Sequence, residues 1–215
     1  ASFFIGSPTE SDTLCRFRRS RRTDAPAEVG TPTRDVTSGR RSNQSRKMKK
    51  FQVLILAAGY ATRLYPLTKH WPKPLLLIKE KPIISHIVKM LDGIDEVSEI
   101  IVVTNDKFIY HFKEWAKNAK SRHKIIVVSD ETTSEKNRLG AIGDIDFILK
   151  IDKIDKDLLV IGGDNLFLFD LKKFIKFAQS KKEDTTVGLY NLNNPELIKK
   201  FGVVTLGKTA KIIKF

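Results

Sequence analysis

From Phe51 onward the apolar positions come in blocks, and the blocks change period. "VLILA" (53–57) is short and continuously apolar, which is the pattern of a strand buried on both faces. "PIISHIVKML" follows, with Ile83, Ile84, Ile87, Val88 and Leu91 at helical spacing and Pro82 where a first-turn proline belongs. "IIVV" at 100–103 predicts a second strand. Phe108, Phe112, Trp115, Ala116 and Ala119 then mark one face of a second helix. "IIVV" returns at 125–128 as a third strand. After a polar loop, Ala141, Ile142, Ile145, Ile148 and Leu149 mark a third helix, which puts Asp144 and Asp146 on its solvated face. "LLVI" (158–161) predicts a fourth strand ending in "GGD". Leu171, Phe174, Ile175 and Ala178 give a fourth helix, and "TTVGLY" (185–190) a fifth strand. "GVVTL" and "KIIKF" read as a hairpin around "GKTA". Strands alternating with helices predict an α/β fold with a mostly parallel sheet covered on both faces.

Composition divides the chain in two. Residues 1–47 carry nine arginines and one lysine, whereas 48–215 carry three arginines and 26 lysines. The first part is rich in Ser, Thr and Arg, without periodic apolar residues, and is expected to be disordered. It fits a non-native upstream segment, a native disordered arm or a targeting peptide; its five acidic residues weigh against the last. Met48 opens a second unit, 48–215, that begins on its first strand.

Charge and cysteine content narrow the function classes. The net charge is +14, yet lysines alternate with acids, as in "DKIDKD", rather than forming one stripe. That argues against a nucleic-acid binder and suits attraction of a small polyanion. The single cysteine, Cys15, excludes an intramolecular disulfide, compatible with a cytoplasmic setting. His70, His86, His111 and His123 are scattered, which disfavours a zinc site. No apolar run approaches the roughly 18 residues of a membrane span.

The chemistry concentrates where the first strand ends. Small residues Ala57, Ala58 and Gly59 leave the backbone open to a ligand. Thr62 and Arg63 follow, the latter a planar, permanent fork for phosphate oxygens. Lys73 sits between Pro72 and Pro74, a compact charge in a stiff frame. Asp164 lies just past the fourth strand. In parallel sheets such strand ends share one rim, where ligands bind near the reversal of strand order. There is no G-x-x-x-x-G-K-[ST] and no G-x-G-x-x-G after the first strand, so neither a P-loop nor a nicotinamide or flavin site is expected.

"LAAGYATRLYPLTKHWPKPLL" resembles the signature of the sugar-phosphate nucleotidyltransferases, the nucleotide-sugar pyrophosphorylases of the thymidylyltransferase type. "GAIGD", "GGDNLF" and "FGVV…KIIKF" resemble that family's later motifs in the same order. The resemblance implies a Rossmann-like three-layer α/β/α sandwich of the nucleotide-diphospho-sugar transferase type, with a mostly parallel, mixed sheet. It implies magnesium-dependent attack of a sugar 1-phosphate on the α-phosphorus of a nucleoside triphosphate, releasing pyrophosphate. By motif position, Leu56, Ala57, Ala58, Gly59 and Thr62 would line the nucleotide. Arg63 would grip the pyrophosphate, and Lys73 would contact the reacting phosphates. Leu139 and Gly140 would lie against the base, and Asp164 would bind magnesium. Triphosphate and sugar phosphate bring about six negative charges, of which one Mg2+, Arg63 and Lys73 would offset about four.

The match departs in places. Ala61 stands where the family usually has glycine, at a cost of about 1 kcal/mol if the backbone there is left-handed. Thr132, Thr133 and Ser134, in an unusually polar segment, are expected to bond their own turns rather than a base edge. Asp130 and Glu131 are expected to face solvent rather than to join a metal site. The family's E-K-P segment and second metal-binding aspartate would follow Phe215, so the sequence reads as C-terminally truncated. Glucose 1-phosphate with a thymidine or uridine triphosphate is the first expectation. An alcohol-phosphate cytidylyltransferase such as one for phosphocholine, a non-catalytic nucleotide-binding fragment and a nucleic-acid binder using the Arg-rich arm are the alternatives. No membrane partner is expected, and the oligomeric state is not legible.

Overall fold

The computed structural model describes residues 14–17, 49–151, 154–167, 169–181, 185–189, 196, 202–207 and 211–214. In chain order the strands are β1 (Leu14–Phe17), β2 (Phe51–Leu56), β3 (Leu77–Ile78), β4 (Lys81–Pro82), β5 (Val97–Thr104), β6 (Ile125–Ser129), β7 (Asp157–Gly162), β8 (Thr185–Gly188), β9 (Thr205–Leu206) and β10 (Ile212–Lys214). The α-helices are α1 (Ile83–Leu91), α2 (Ile109–Asn118), α3 (Gly140–Ile151) and α4 (Leu171–Ser180).

Four strands form the central sheet in the order β6-β5-β2-β7, all parallel. β2 lies inside it and is buried along nearly its whole length, which is why its sequence is continuously apolar. Its side chains alternate between two cores. Val53 and Ile55, with Ile100, Val102 and Ile161, meet apolar faces of α1, α2 and α4. Leu54, with Ile101 and Val103, meets Ile148 of α3 on the opposite face. Helices thus cover both faces, giving the expected three layers. Ile84, Ile87 and Leu91 of α1 are fully buried, each contributing about 1.5–3 kcal/mol through loss of water contact.

The remaining strands form antiparallel pairs apart from this sheet. β9 and β10 make the expected hairpin. β8 is present, but its partner is β1. Residues 14–17 therefore depart from the expectation of a wholly unstructured extension; the rest of 1–47 lies outside the described residues. β3 and β4 form a hairpin that the sequence did not suggest, because its turn uses Lys79 and Glu80 at φ 48° and 64° instead of the customary Asn-Gly.

α3 corrects two sequence expectations. Ile142 and Leu149, assigned to its apolar face, are more than half exposed, whereas Asp144, assigned to solvent, is 5% exposed. Spacing explains this. Asp144 and Ile148 are four residues apart and share the stripe that faces the sheet. Asp146 does face solvent and pairs with Lys150 at 2.6 Å.

Pairing register sets the strand ends level. Leu56 lies opposite Val103 on one side and Gly162 on the other. Strand order runs outward from β2 through β5 to β6, then returns to β2's other side at β7. The reversal between β2 and β7 is the place where such sheets bind ligands.

Candidate nucleotide site at the strand ends

The exits of β2 and β7 are drawn tightly together. Gly163 donates its N–H to Leu56 O at 2.7 Å. A Cβ on Gly163 would stand 2.9 Å from that oxygen and 3.2 Å from Ile55 Cγ2. Only glycine permits this approach, and the next residue is Asp164. Its Oδ2 accepts a hydrogen bond from Lys73 Nζ at 2.7 Å. Lys73 opens a short 3-10 turn, 73–75, held by Pro72 and Pro74. Trp71 Nε1 donates to Leu75 O at 3.1 Å and secures the same turn from outside. The stiff frame read from the sequence therefore aims its cation at the β7 exit.

The loop leaving β2 is built in two parts. Ala57 and Ala58 are buried, with Ala57 N–H bonded to Val103 O at 2.8 Å. That amide is unavailable to a ligand, so the open backbone expected at Ala57 begins later. Among the described residues, the amides of 59–63 donate to no protein acceptor. Gly59 is exposed, and a Cβ there would meet open space. Ala61 is left-handed at φ 48° and ψ 40°, the conformation in which the missing glycine is felt. Thr68 offsets this by donating its hydroxyl to Ala61 O at 2.7 Å. Thr62 and Arg63 form the short turn 62–64. Arg63 is exposed and, among the described residues, has no ion-pair partner. Free amides beside an unpaired guanidinium are groups whose chemistry suits an anion.

Leu139 and Gly140 stand at the start of α3, both exposed. Gly140 has φ +75°, so an L side chain there would be strained. The segment before them, 130–138, is tied to the β2 exit by Tyr60, whose hydroxyl lies 3.2 Å from Thr132 Oγ1. It is tied to the β5 exit by Asp106 N–H, which donates to Thr132 O at 2.8 Å. The sequence-predicted nucleotide residues thus belong to neighbouring exits on one rim. Ser134 bonds its own turn, as expected, through a capping box with Asn137. Thr132, which is buried, bonds within its own loop through the Asp130 side chain instead of a backbone group, donating its hydroxyl to Asp130 Oδ1 at 2.7 Å.

Three features escaped the sequence. Asn105, fully buried, donates to Ala58 O at 2.9 Å and accepts from Phe108 N–H at 3.1 Å, clamping the glycine loop to the start of α2. Gly163 looked like half of a generic "GG". Asp130, expected in solvent with Glu131, is 3% exposed, while Glu131 is exposed. Burial, together with the charge of Asp130 and a hydrogen bond to it, pushes the Asp144 carboxyl up to about 7. Burial also raises the Tyr60 hydroxyl.

The metal ligand expected from the sequence, Asp164, is half-exposed at this rim. Among the described residues no group of three or more His, Cys, Asp or Glu side chains could hold an ion. One half-exposed carboxylate suits magnesium, which takes one or two carboxylates and completes its shell with water and phosphate. No described helix is long and apolar enough to cross a membrane.

The chain is similar to known proteins. The chain is 33% identical over 162 residues to the "Bifunctional protein GlmU" of Methanocaldococcus jannaschii, covering 75% of this chain and 34% of that protein. It is 29% identical over 171 residues to "Mannose-1-phosphate guanylyltransferase 1" of Arabidopsis thaliana, covering 76% and 44%. The crystal structure of HddC from Yersinia pseudotuberculosis superposes with a TM-score of 0.50 at 29% identity, covering 60% of this chain and 54% of that one. The chain thus spans about a third to under a half of the length of these curated relatives. Residues 52–215, from the second residue of β2 through the hairpin, match the family model described as nucleotidyl transferase. With the glycine loop, Lys73 and Asp164 converging where the strand order reverses, the chain belongs to the nucleotidyl transferase family.

Proposed function

We propose that residues 48–215 form the nucleotide-binding domain of an enzyme that transfers a nucleoside monophosphate from a nucleoside triphosphate to a sugar 1-phosphate. The observation that carries this reading is the 2.7 Å contact between Lys73 and Asp164. It brings a rigid cation and a lone carboxylate to the strand reversal, beside a loop of free amides and Arg63. The name of the Arabidopsis relative, a mannose-1-phosphate guanylyltransferase, fits a sugar 1-phosphate acceptor.

In the reaction an oxygen of the sugar phosphate attacks the α-phosphorus. The bond from that phosphorus to the α–β bridging oxygen breaks, and pyrophosphate leaves with the electron pair. The attacking oxygen is already anionic, so no protein base is needed. The work left to the protein is alignment and charge stabilisation. The free amides of 59–63 and the Arg63 guanidinium hold the β- and γ-phosphates, the future pyrophosphate. Lys73 faces the α-phosphate and the incoming oxygen. Leu56, Ala57 and Ala58 form the floor, Thr62 flanks the phosphates, and Leu139 and Gly140 meet the base. Asp164 is the residue that would hold magnesium, which when bound supplies charge neutralisation across the phosphates. A reducing cytoplasmic setting goes with this reading.

Thermal unfolding with magnesium and each of five nucleoside triphosphates tests it. One triphosphate at 100 times its Kd should add about 2.7 kcal/mol of stability. Arg63→Ala and Lys73→Ala should each remove most of that gain. Pyrophosphate release with a panel of sugar 1-phosphates and phosphocholine then identifies the acceptor. A ligand shift left intact in both variants would refute the phosphate roles.

A further inference from the structure

Beneath the segment that leads into α3 lies a buried acidic cluster that the proposed reaction does not use. Asp130 sits at the end of β6 and Asp144 in the first half of α3, 3% and 5% exposed. Asp130 Oδ1 is occupied, accepting from Thr132 N–H at 2.8 Å and from the Thr132 hydroxyl at 2.7 Å. Its other oxygen, Oδ2, and Asp144 Oδ1 are buried without a donor. Burial first, then the charge of Asp130 and a hydrogen bond to it, favour the protonated form of Asp144. Two carboxylates have only acceptors, so both ionised they repel in a dry site. One proton converts the repulsion into a hydrogen bond.

The position gives the pair its meaning. Asp130 and Asp144 bracket the segment 131–139 and Gly140. That segment carries unfavourable backbone at Glu131, with φ 65°, while Gly140 takes φ 75° as a glycine can. Among the described residues its hydrogen bonds to the rest of the fold run through Thr132 to Tyr60 and Asp106, and through Glu131 N–H to Ser129 Oγ at the end of β6. The groups acting on Asp144 and Tyr60 are acids, Asp130 on the first and Asp130, Asp106 and Glu135 on the second; of the segment's own cations, Arg138 pairs with Glu135 and Lys136 is exposed. On α3, Asp146 points away and pairs with Lys150. A proton shared by the two aspartates is then what offsets the crowding of negative charge.

We propose that Asp130 and Asp144 are positioning residues for the nucleotide base: joined by one shared proton, they fasten the start of α3 to the end of β6, and ionisation of the pair loosens the base-binding segment. The proposal rests on the reading that Leu139 and Gly140 meet the base. It makes nucleotide affinity fall as pH rises, through the base end of the ligand and not the phosphate end.

The test is the Kd of the preferred magnesium–triphosphate, and of magnesium pyrophosphate, at about pH 6 and about pH 8.5. One proton with a midpoint near 7 limits the loss of triphosphate affinity to about thirtyfold, and about tenfold is expected. In Asp144→Asn the amide donates to Asp130 at every pH. That variant should keep the low-pH Kd and, beyond what titration of the γ-phosphate contributes, change less than about twofold between the two conditions. Taking the difference between parent and D144N removes the titration of the γ-phosphate, common to both. Pyrophosphate affinity should follow the same pH course in both proteins. Asp144→Ala should weaken triphosphate at both pH values; if it fails to fold, D144N carries the test alone. An equal pH slope in parent and D144N, with binding that still needs Arg63 and Lys73, overturns the pair's role and leaves the site intact. Absence of triphosphate binding at both pH values overturns the site reading and the pair's role with it.

Discussion

Exchange of Asp144 for asparagine should change how stability depends on pH, independently of any ligand. The Asp144 carboxyl moves from its ordinary 3.8 to about 7 on folding, about three units. At 1.36 kcal/mol per unit, that is a ceiling of about 4 kcal/mol on the proton's contribution. The sign follows from which state holds the proton more tightly. The folded state does, so the contribution is complete below about pH 4. It declines as pH rises toward 7 and is gone above that. Between about pH 5.5 and pH 8 the parent protein should lose about 2 kcal/mol relative to D144N, in which no proton is taken up. Urea unfolding of both proteins across that range, read by far-UV circular dichroism and fluorescence together, measures the difference directly. Groups that titrate alike in both proteins cancel. Parallel stability curves would mean that the carboxyl titrates normally in the fold, and the argument for a shared proton would fail.

Three further outcomes test the rim. Gly163→Ala would place a Cβ 2.9 Å from Leu56 O; unfolding experiments should show a loss of about 1–3 kcal/mol. Ala61→Gly should stabilise by about 1 kcal/mol, since residue 61 is left-handed at φ 48°; a neutral or destabilising result in the same assay contradicts the strain. Lys73→Ala should cost at most about 1 kcal/mol of stability, because the Lys73 and Asp164 side chains are 37% and 40% exposed, yet should abolish the thermal response to magnesium–triphosphate.

The central sheet was legible because its inner strands are buried on both faces, which leaves only apolar residues at 53–57 and 100–103, while the half-buried β7 keeps an apolar run at 158–161. The rim was legible for a different reason. Proline on both sides of Lys73 and small residues at 57–59 are local choices with little purpose in a core. What stayed hidden depends on contacts distant in sequence. Asn105 is an ordinary loop residue until Ala58 O, 47 positions away, accepts its amide. Asp144 was misread because Ile142 and Leu149 made a plausible apolar stripe; the alternative stripe through Ala141, Asp144, Ile145 and Ile148 has a carboxyl in it. Only Asp130, delivered by another strand, makes that carboxyl tolerable in the interior.

The Lys73–Asp164 contact gains its significance from how little it does for folding. An ion pair this exposed contributes 0–1 kcal/mol, whereas fixing a lysine side chain costs an entropy of about 1.5–2 kcal/mol. Stability therefore does not account for a cation braced between prolines and aimed at the neighbouring strand end. Gly163, which close packing against Leu56 O requires, brings Asp164 within reach of that cation, and the two meet where Leu56 and Gly162 end level. On the proposed reading, a polyanion bound there would meet Lys73 and the loop amides on a frame the sheet already holds, and preparation of this kind is what lets charge stabilisation act in the transition state without reorganisation.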